Sequence, residues 1–105
     1  MKITLTNWER FWLVIMVGSG TAPTIGQFRL GNKALDKLEL TDEEKAEVGW
    51  EAFPDRQQIG WQREKDWELE FKDDVWAIVK GYVKTFQRKP QDRRFEVLYD
   101  KILEE

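Results

Sequence analysis

The chain has 105 residues, with 17 Lys and Arg against 20 Asp and Glu, six Trp, no Cys and no His. These counts exclude disulfides, thiolate nucleophiles, imidazole bases and zinc sites built from Cys and His. The net charge of −3 argues against nonspecific binding to nucleic acid. A hydrophobic fraction of 41% suffices for a folded core, so we predict a single compact α+β domain over residues 1–105.

The first predicted elements are a short strand and an apolar helix. Residues 2–5 alternate between polar and apolar side chains, which is typical of a strand. Residues 6–9 (Thr-Asn-Trp-Glu) have the spacing of a capping box, in which the Thr and Glu side chains each accept a backbone N–H. A helix is therefore predicted from Asn7 to Gly18. Because this helix has almost no polar face, we expect it to be buried centrally or against a second subunit of a homo-oligomer.

The apolar run inside that helix, residues 11–17, bears on targeting. Its length falls far short of the roughly 20 residues that cross a bilayer, so no membrane association is expected. Glu9 and Arg10 stand directly ahead of the run, where a signal peptide would be uncharged or purely basic. The sequence therefore gives no indication of export.

Two further capping boxes predict the second and third helices. Residues 24–27 (Thr-Ile-Gly-Gln) open a helix in which apolar side chains recur at helical intervals from Ile25 to Leu38. Residues 41–44 (Thr-Asp-Glu-Glu) open another helix, with acidic side chains where the helix dipole favours them. Gly49 is predicted to end this third helix.

A β-hairpin is predicted in the centre of the chain. Residues 58–62 and 66–72 alternate apolar and polar side chains, and residues 63–65 between them form the expected turn. Residues 50–57, ahead of the hairpin, are expected to be irregular.

Two helices are predicted to follow the hairpin. Asp73 and Asp74 are expected to cap the first of them, and Pro90 or Gln91 is expected to open the second. The complete prediction is an α+β fold with a helical N-terminal half, a central β-hairpin and two C-terminal helices.

Four short motifs, in this order along the chain, resemble a group of small phage and prophage proteins of about the same length. The motifs are Leu5-Thr6-x-x-Glu9-Arg10, Leu38-x-Leu40-Thr41-x-Glu43-Glu44, Ile59-x-Trp61 and Leu98-Tyr99-x-Lys101-Ile102. The resemblance implies a viral accessory protein in the cytoplasm of an infected bacterium. Such accessory proteins frequently act by binding, and some inhibit bacterial defence systems. The resemblance implies no site residues.

The predicted function is that of a non-enzymatic phage accessory protein that binds and inhibits a host protein, as anti-defence proteins do. Trp is enriched at the energetic hot spots of interfaces, and an acidic central segment can steer a partner. The expected contact residues are Trp8, Trp12 and Trp50, with Glu43, Glu44 and Glu47 steering the partner.

A hydrolase that works with carboxylates alone is the enzymatic alternative. Its candidates are Asp73 with Asp74 and Glu68 with Glu70, because paired acids can exchange protons or hold Mg²⁺. The first pair fits a helix cap and the second fits the exposed side of a strand. The protein is therefore predicted not to be an enzyme and to use no metal or cofactor.

Two non-enzymatic alternatives stay open. The basic cluster of Arg88, Lys89, Arg93 and Arg94 could bind the phosphate of a nucleotide signal, with a Trp stacking on the base. The protein could instead act in virion assembly as a minor component. Mimicry of DNA by the acidic centre is disfavoured, because Lys and Arg are interspersed among the acids.

Overall fold

The computed structural model describes residues 1–20, 22, 24–53, 58–86 and 93–103, and for residues 52–53 and 58–59 it describes the backbone alone. The helices are α1 (Asn7–Gly18), α2 (Ile25–Leu38), α3 (Asp42–Val48), α4 (Asp73–Thr85) and α5 (Arg93–Leu103). The strands are β1 (Lys2–Thr6), β2 (Glu51–Phe53), β3 (Gln58–Gly60) and β4 (Asp66–Glu70). The predicted α+β fold, helical at both ends of the chain, is confirmed.

Complete capping boxes begin α1 and α3, as the sequence predicted. The Thr6 hydroxyl accepts the Glu9 N–H at 3.2 Å, and the Glu9 carboxylate accepts the Thr6 N–H at 2.9 Å. Thr41 and Glu44 form the second box at the same two distances, 3.2 and 2.9 Å. Gly49 follows α3 with a φ of 69°, a left-handed conformation that favours glycine, so the predicted end of this helix is confirmed.

The first turn of α2 departs from its predicted pattern. The Thr24 hydroxyl accepts the Gln27 N–H at 3.1 Å, but Gln27 Oε1 accepts no hydrogen bond from the described residues, so only half of the box forms. Ile25 and Phe28 are 72% and 58% exposed, whereas Leu38 at the other end of the helix is fully buried. The apolar stripe of α2 therefore enters the core only after the first turn.

The pairing of the strands differs from the prediction. β4 pairs antiparallel with β1 along its whole length, with Leu5 opposite Trp67. β2 and β3 pair with each other and form the central β-hairpin. The predicted pairing of residues 58–62 with residues 66–72 is wrong, and residues 51–53 are a strand rather than irregular.

Hydrogen bonds in the segment between β3 and β4 explain the difference. The N–H groups of Gln62 and Arg63 both donate to the Val48 carbonyl oxygen at 2.9 Å. The Arg63 carbonyl oxygen accepts the side-chain amide of Asn7 at 2.8 Å. These bonds hold the segment at the end of α3 and the start of α1, so it does not form a tight turn. β4 therefore pairs with β1 instead of β3.

The helix α1 lies in the centre of the fold, as its composition predicts. Leu13, Met16 and Val17 belong to the main hydrophobic core, which also takes side chains from β1, α2, α4 and α5. Elsewhere on α1, Phe11 and Trp12 are only partly covered. Across the described residues, no helix has both the length and the apolar composition to cross a membrane.

A buried Arg10 connects the first three helices. Its guanidinium donates to the carbonyl oxygens of Leu38, Lys37 and Glu39 at 2.9, 3.2 and 3.0 Å. It also donates to both carboxylate oxygens of Glu44, at 3.1 and 3.3 Å. Because the last carbonyl groups of a helix have no partner within the helix, Arg10 satisfies the end of α2 and ties α3 to it.

The start of α4 differs slightly from the prediction. Lys72 occupies the cap position and makes no capping hydrogen bond with its side chain. Asp73 and Asp74, predicted to be the cap, lie in the first turn, where the helix dipole favours negative charge. The predicted start of the last helix, at residues 90–91, falls outside the described residues.

Candidate functional site

Four partly exposed aromatic side chains lie next to one another where α1, the end of α3 and the end of β3 meet. Trp50 and Trp61 stack with their ring centroids 5.4 Å apart and an interplanar angle of 16°. Phe11 lies 6.3 Å from Trp50 and 6.2 Å from Trp61, and Trp12 lies 6.0 Å from Phe11. We call these four residues the aromatic surface, because their rings are contiguous and partly exposed.

The turn at the end of α3 fixes Trp50. The Trp50 N–H donates to the Lys45 carbonyl oxygen at 2.9 Å, and the left-handed Gly49 makes this bond possible. A Cβ atom on Gly49 would also lie 3.0 Å from the Gln62 side chain, so glycine is favoured there by sterics as well. The Lys45 ammonium lies 5.6 Å from the centroid of the Trp50 ring. The turn therefore fixes the Trp50 backbone, and Lys45 contacts its ring.

The β2–β3 hairpin and one carboxylate fix Trp61. In the hairpin Glu51 lies opposite Gly60, so Trp50 and Trp61 are the next facing pair beyond the last paired residues. Facing residues of an antiparallel pair bring their side chains together, and aromatic pairs gain most from this. The Trp61 Nε1–H donates to the Glu64 carboxylate at 3.0 Å, which sets the orientation of the indole ring.

Trp8, a predicted contact residue, lies in the core. It is 8% exposed, and its ring packs edge-on against Phe95 of α5 at a centroid distance of 4.8 Å. Trp12 lies one turn further along α1, also 4.8 Å from Phe95, and stays half-exposed. Phe95 of α5 therefore covers the Trp8/Trp12 face at both residues, and Trp12 keeps part of its surface exposed.

The three carboxylates that were predicted to steer a partner have different surroundings. Glu43 is exposed and forms no ion pair with any described residue. Glu47 forms an ion pair with Lys65 on the surface. Glu44 pairs with the buried Arg10 at 3.1 Å and completes the cap of α3, so it holds the fold together.

The environment of Glu44 shifts its protonation equilibrium. Burial alone would raise the pKa of Glu44, but hydrogen bonds from the Arg10 guanidinium and from Thr41, together with the Arg10 charge, outweigh burial. The pKa of Glu44 therefore lies below its ordinary value of 4.5. This carboxylate is therefore ionised at neutral pH.

Half of the predicted anion-binding cluster can be placed. Arg88 and Lys89 lie outside the described residues. Arg93 and Arg94 are exposed at the start of α5, and the Arg94 guanidinium lies 4.5 Å from the centroid of the Trp8 ring. At this distance Arg94 makes a cation–π contact that helps to cover Trp8.

A small pocket of about 220 Å³ lies beside Arg94. Lys101 also lines it, but its ammonium is paired with the Glu9 carboxylate at 2.8 Å. Glu64 brings a second carboxylate to the same pocket. The two carboxylates balance the two cations, so the charge of this pocket does not favour a phosphate.

A larger open cleft of about 710 Å³ lies between the C-terminal part of α2 and the start of α4. The charged side chains that line it are Lys33, Asp36, Lys37, Glu70, Lys72 and Asp73. Three basic and three acidic side chains line this cleft, so its charge favours neither an anion nor a cation.

The paired acids of the enzymatic alternative are exposed. Glu68 and Glu70 lie on the solvent side of β4, and Asp73 and Asp74 lie in the first turn of α4. Within the described part of the chain, no cluster of three or more acidic side chains could hold a metal ion.

Sequence reasoning missed Phe11 and Trp61 as members of the site. The available signal was the position of a Trp at each end of residues 50–61, with Pro54 between them. That arrangement is compatible with a hairpin whose open end carries two facing Trp side chains. Comparison of the chain with protein-family models, with curated proteins and with solved structures finds no match.

Proposed function

We propose that the protein is a non-enzymatic binding protein whose aromatic surface docks on a host protein and inhibits it. The stacked, partly exposed pair of Trp50 and Trp61 is the observation that carries this proposal. Trp side chains dominate interface energetics, because each removes a large apolar area from water and has few rotatable bonds. The resemblance to phage accessory proteins supports a bacterial partner and inhibition of a defence system as the outcome.

The rigidity of the aromatic surface supports a docking role. Trp50 is fixed by the turn at Gly49, and Trp61 is fixed by its hydrogen bond to Glu64. Association is weakened by every side chain that must be ordered at the interface. A surface whose rings are already in place loses less entropy on binding, which favours affinity.

The charge around the aromatic surface supports a basic partner. Residues 39–53 and 58–66 carry eight carboxylates and three basic side chains. Glu43 and Glu51 are exposed in the segments on either side of Trp50. Complementary charge at the rim of an interface raises the association rate and makes it sensitive to salt. We therefore expect the host protein to present a basic rim around an apolar centre.

Binding of a nucleotide signal has less support. Its predicted ligands Arg88 and Lys89 lie outside the described residues, and the pocket beside Arg94 also contains the carboxylates of Glu9 and Glu64. Both carboxylates repel a phosphate, so this pocket lends little support to nucleotide binding.

Affinity capture with matched variants tests the proposal. Tagged protein is incubated with a lysate of the host bacterium, and retained proteins are identified by mass spectrometry. The test variant is Trp50→Ala with Trp61→Ala, and the control is Phe28→Ala, which removes an aromatic ring of 58% exposure on α2. We expect the wild type and the control to retain the same host protein and the double variant to lose it.

Two results of that experiment would contradict the proposal. One is capture of no host protein by the wild type in repeated trials. The other is equal retention of the same protein by the double variant and the control, with both variants folded as judged by circular dichroism. In the second case the aromatic surface is not the docking site.

A further inference from the structure

The two edges of the β1–β4 sheet can be assigned from its hydrogen bonds. The Met1 amino group donates to the Phe71 carbonyl oxygen at 3.0 Å, and the Phe71 N–H donates to the Met1 carbonyl oxygen at 2.8 Å. In an antiparallel ladder such doubly bonded pairs alternate with pairs that make no ladder bonds. Every second pair from Met1 and Phe71 is therefore doubly bonded, which includes Leu5 with Trp67. The residues between these pairs direct their N–H and C=O groups to the outer edges of the sheet.

The outer edge of β1 is closed by side chains of the same chain. The Thr6 N–H donates to the Glu9 carboxylate at 2.9 Å. The Lys101 ammonium from α5 donates to the Thr4 carbonyl oxygen at 3.3 Å and to Glu9 at 2.8 Å. An added strand would have to displace this ion pair, so the β1 edge does not accept one.

The outer edge of β4 is open. The residues of this strand whose backbone N–H and C=O groups point to the outer edge are Asp66, Glu68 and Glu70. All three residues are exposed. Their backbone N–H and C=O groups form no hydrogen bond with any other described group beyond the ladder to β1. Unpaired backbone groups in an extended strand are a template for the addition of another strand.

The charges on β4 identify the strand that would be added. Asp66, Glu68 and Glu70 place three carboxylates in a row on one face of the sheet, and only Lys2 stands opposite them on β1 as a cation. A second copy of β4 would bring carboxylates against carboxylates, which destabilises facing pairs. A strand with Lys or Arg at alternate positions would instead place cations against this row.

The other face of β4 defines the remaining positions of the added strand. Trp67 and Leu69 point to that face and are half-buried, so they offer partly covered apolar area to a neighbouring strand. We propose that the open edge of β4 binds an extended protein segment in which basic and apolar residues alternate. This site shares no residue with the aromatic surface, and it goes beyond the proposed function.

A synthetic peptide tests the inference directly. The probe is an end-capped heptapeptide of alternating Lys and Val, and its two controls are a Glu-Val heptapeptide and a Lys-Val heptapeptide whose central Val is replaced by Pro. Affinity is measured by isothermal titration calorimetry, and amide exchange is followed by NMR. We expect the Lys-Val peptide alone to bind and to protect the Glu68 and Glu70 amide protons.

Proline variants of the protein provide the matched comparison. The Glu68 N–H points away from β1, so Glu68→Pro removes an outward donor and leaves the ladder bonds in place. Thr4→Pro removes the corresponding outward N–H on the closed edge of β1. We expect Glu68→Pro to weaken peptide binding by about tenfold or more and Thr4→Pro to leave it within about twofold.

Several outcomes would overturn the inference. They are no binding of the Lys-Val peptide, binding without protection of the Glu68 and Glu70 amides, equal binding of the Pro-containing peptide, and equal effects of the two proline variants. The amide protection is measured on the wild-type protein, so the inference stays testable even if a proline variant fails to fold. Loss of host-protein capture on substitution of Trp50 and Trp61 is independent of all of these results.

Discussion

Two pairs of Trp side chains lie close together in this protein, and they differ in what covers them. Trp8 and Trp12 lie one turn apart on α1, with ring centroids 6.2 Å apart, and Phe95 of α5 packs against both. Trp50 and Trp61 face each other across the open end of a hairpin, and both stay half-exposed. Trp8 therefore belongs to the core, whereas Trp12 and both members of the hairpin pair keep part of their surface exposed.

Sequence spacing predicts which side chains share a face, but it does not predict whether that face is exposed. Side chains four residues apart on an apolar helix share a face, but a distant element decides whether that face is open. Phe95 lies 87 positions after Trp8 in the chain and still forms its closest ring contact, at 4.8 Å. The geometry of the hairpin pair depends on the pairing of β2 with β3, which the sequence did not predict, so the stacking of Trp50 on Trp61 was not predicted either.

The largest expected effect distinguishes the two pairs by stability. Trp8→Ala removes a ring that is 8% exposed and leaves a cavity against Phe95, so we expect a loss of about 4 kcal/mol in the free energy of unfolding. Trp61→Ala removes a half-exposed ring and should cost about 1–2 kcal/mol. Urea denaturation measures both. Equal losses for the two variants would contradict the assignment of Trp8 to the core.

Removal of Arg10 tests whether the buried side of α1 depends on polar contacts as well as on packing. Arg10→Ala leaves the Glu44 carboxylate and three carbonyl groups without their donor, and we expect a loss of about 3 kcal/mol. Lys65→Ala, which breaks the surface pair with Glu47, is the control and should cost less than about 1 kcal/mol. Chemical denaturation of both variants decides the point, and a similar loss in each would be inconsistent with a structural role for Arg10.

The stacking of the hairpin pair can be measured by a double-mutant cycle. Trp50→Ala, Trp61→Ala and the combined variant should give a coupling energy of about 0.5–1.5 kcal/mol, as expected for rings in contact. Trp50 with Trp76 is the control cycle, since Trp76 lies in α4 and contacts Phe71. Additive effects of Trp50 and Trp61 within experimental error would mean that the rings do not stack in solution.

The smallest expected effect concerns the pH dependence of stability. Because the pKa of Glu44 is lower in the folded chain than its ordinary value of 4.5, the folded state binds fewer protons than the unfolded state in this range. The contribution of Glu44 is therefore complete above that ordinary value and is lost as the pH falls through the folded pKa. Glu44→Gln should flatten the decline of the melting temperature at acidic pH. An unchanged decline in this variant would contradict the low pKa.

Much of the helical structure could be predicted from the sequence, because caps act over three or four residues. Thr6 with Glu9 and Thr41 with Glu44 form the predicted boxes, and Gly49 ends α3 where expected. The strand pairing could not be predicted, since alternation alone does not say which strands pair. The hydrogen bonds of Gln62 and Arg63 to Val48 prevent a tight turn before β4, so that β4 pairs with β1. No sequence pattern at these positions predicts these bonds.

The candidate site was only partly predictable for the same reason. Trp50 was predicted to be a contact residue, and the structure places it on the aromatic surface. Glu44 was predicted to steer a partner, but the buried Arg10 binds it, and a buried Arg is not visible as such in a sequence. Trp61 was placed in a strand, and its stacking follows only from the true hairpin register.

The most direct test of the aromatic surface is a titration with the purified host protein obtained by affinity capture. Calorimetry compares the wild type, the double variant of Trp50→Ala with Trp61→Ala, and the Phe28→Ala control at equal concentration. We predict that the double variant binds at least about tenfold more weakly and that the control binds like the wild type. Equal dissociation constants for all three folded proteins would contradict the proposed docking surface.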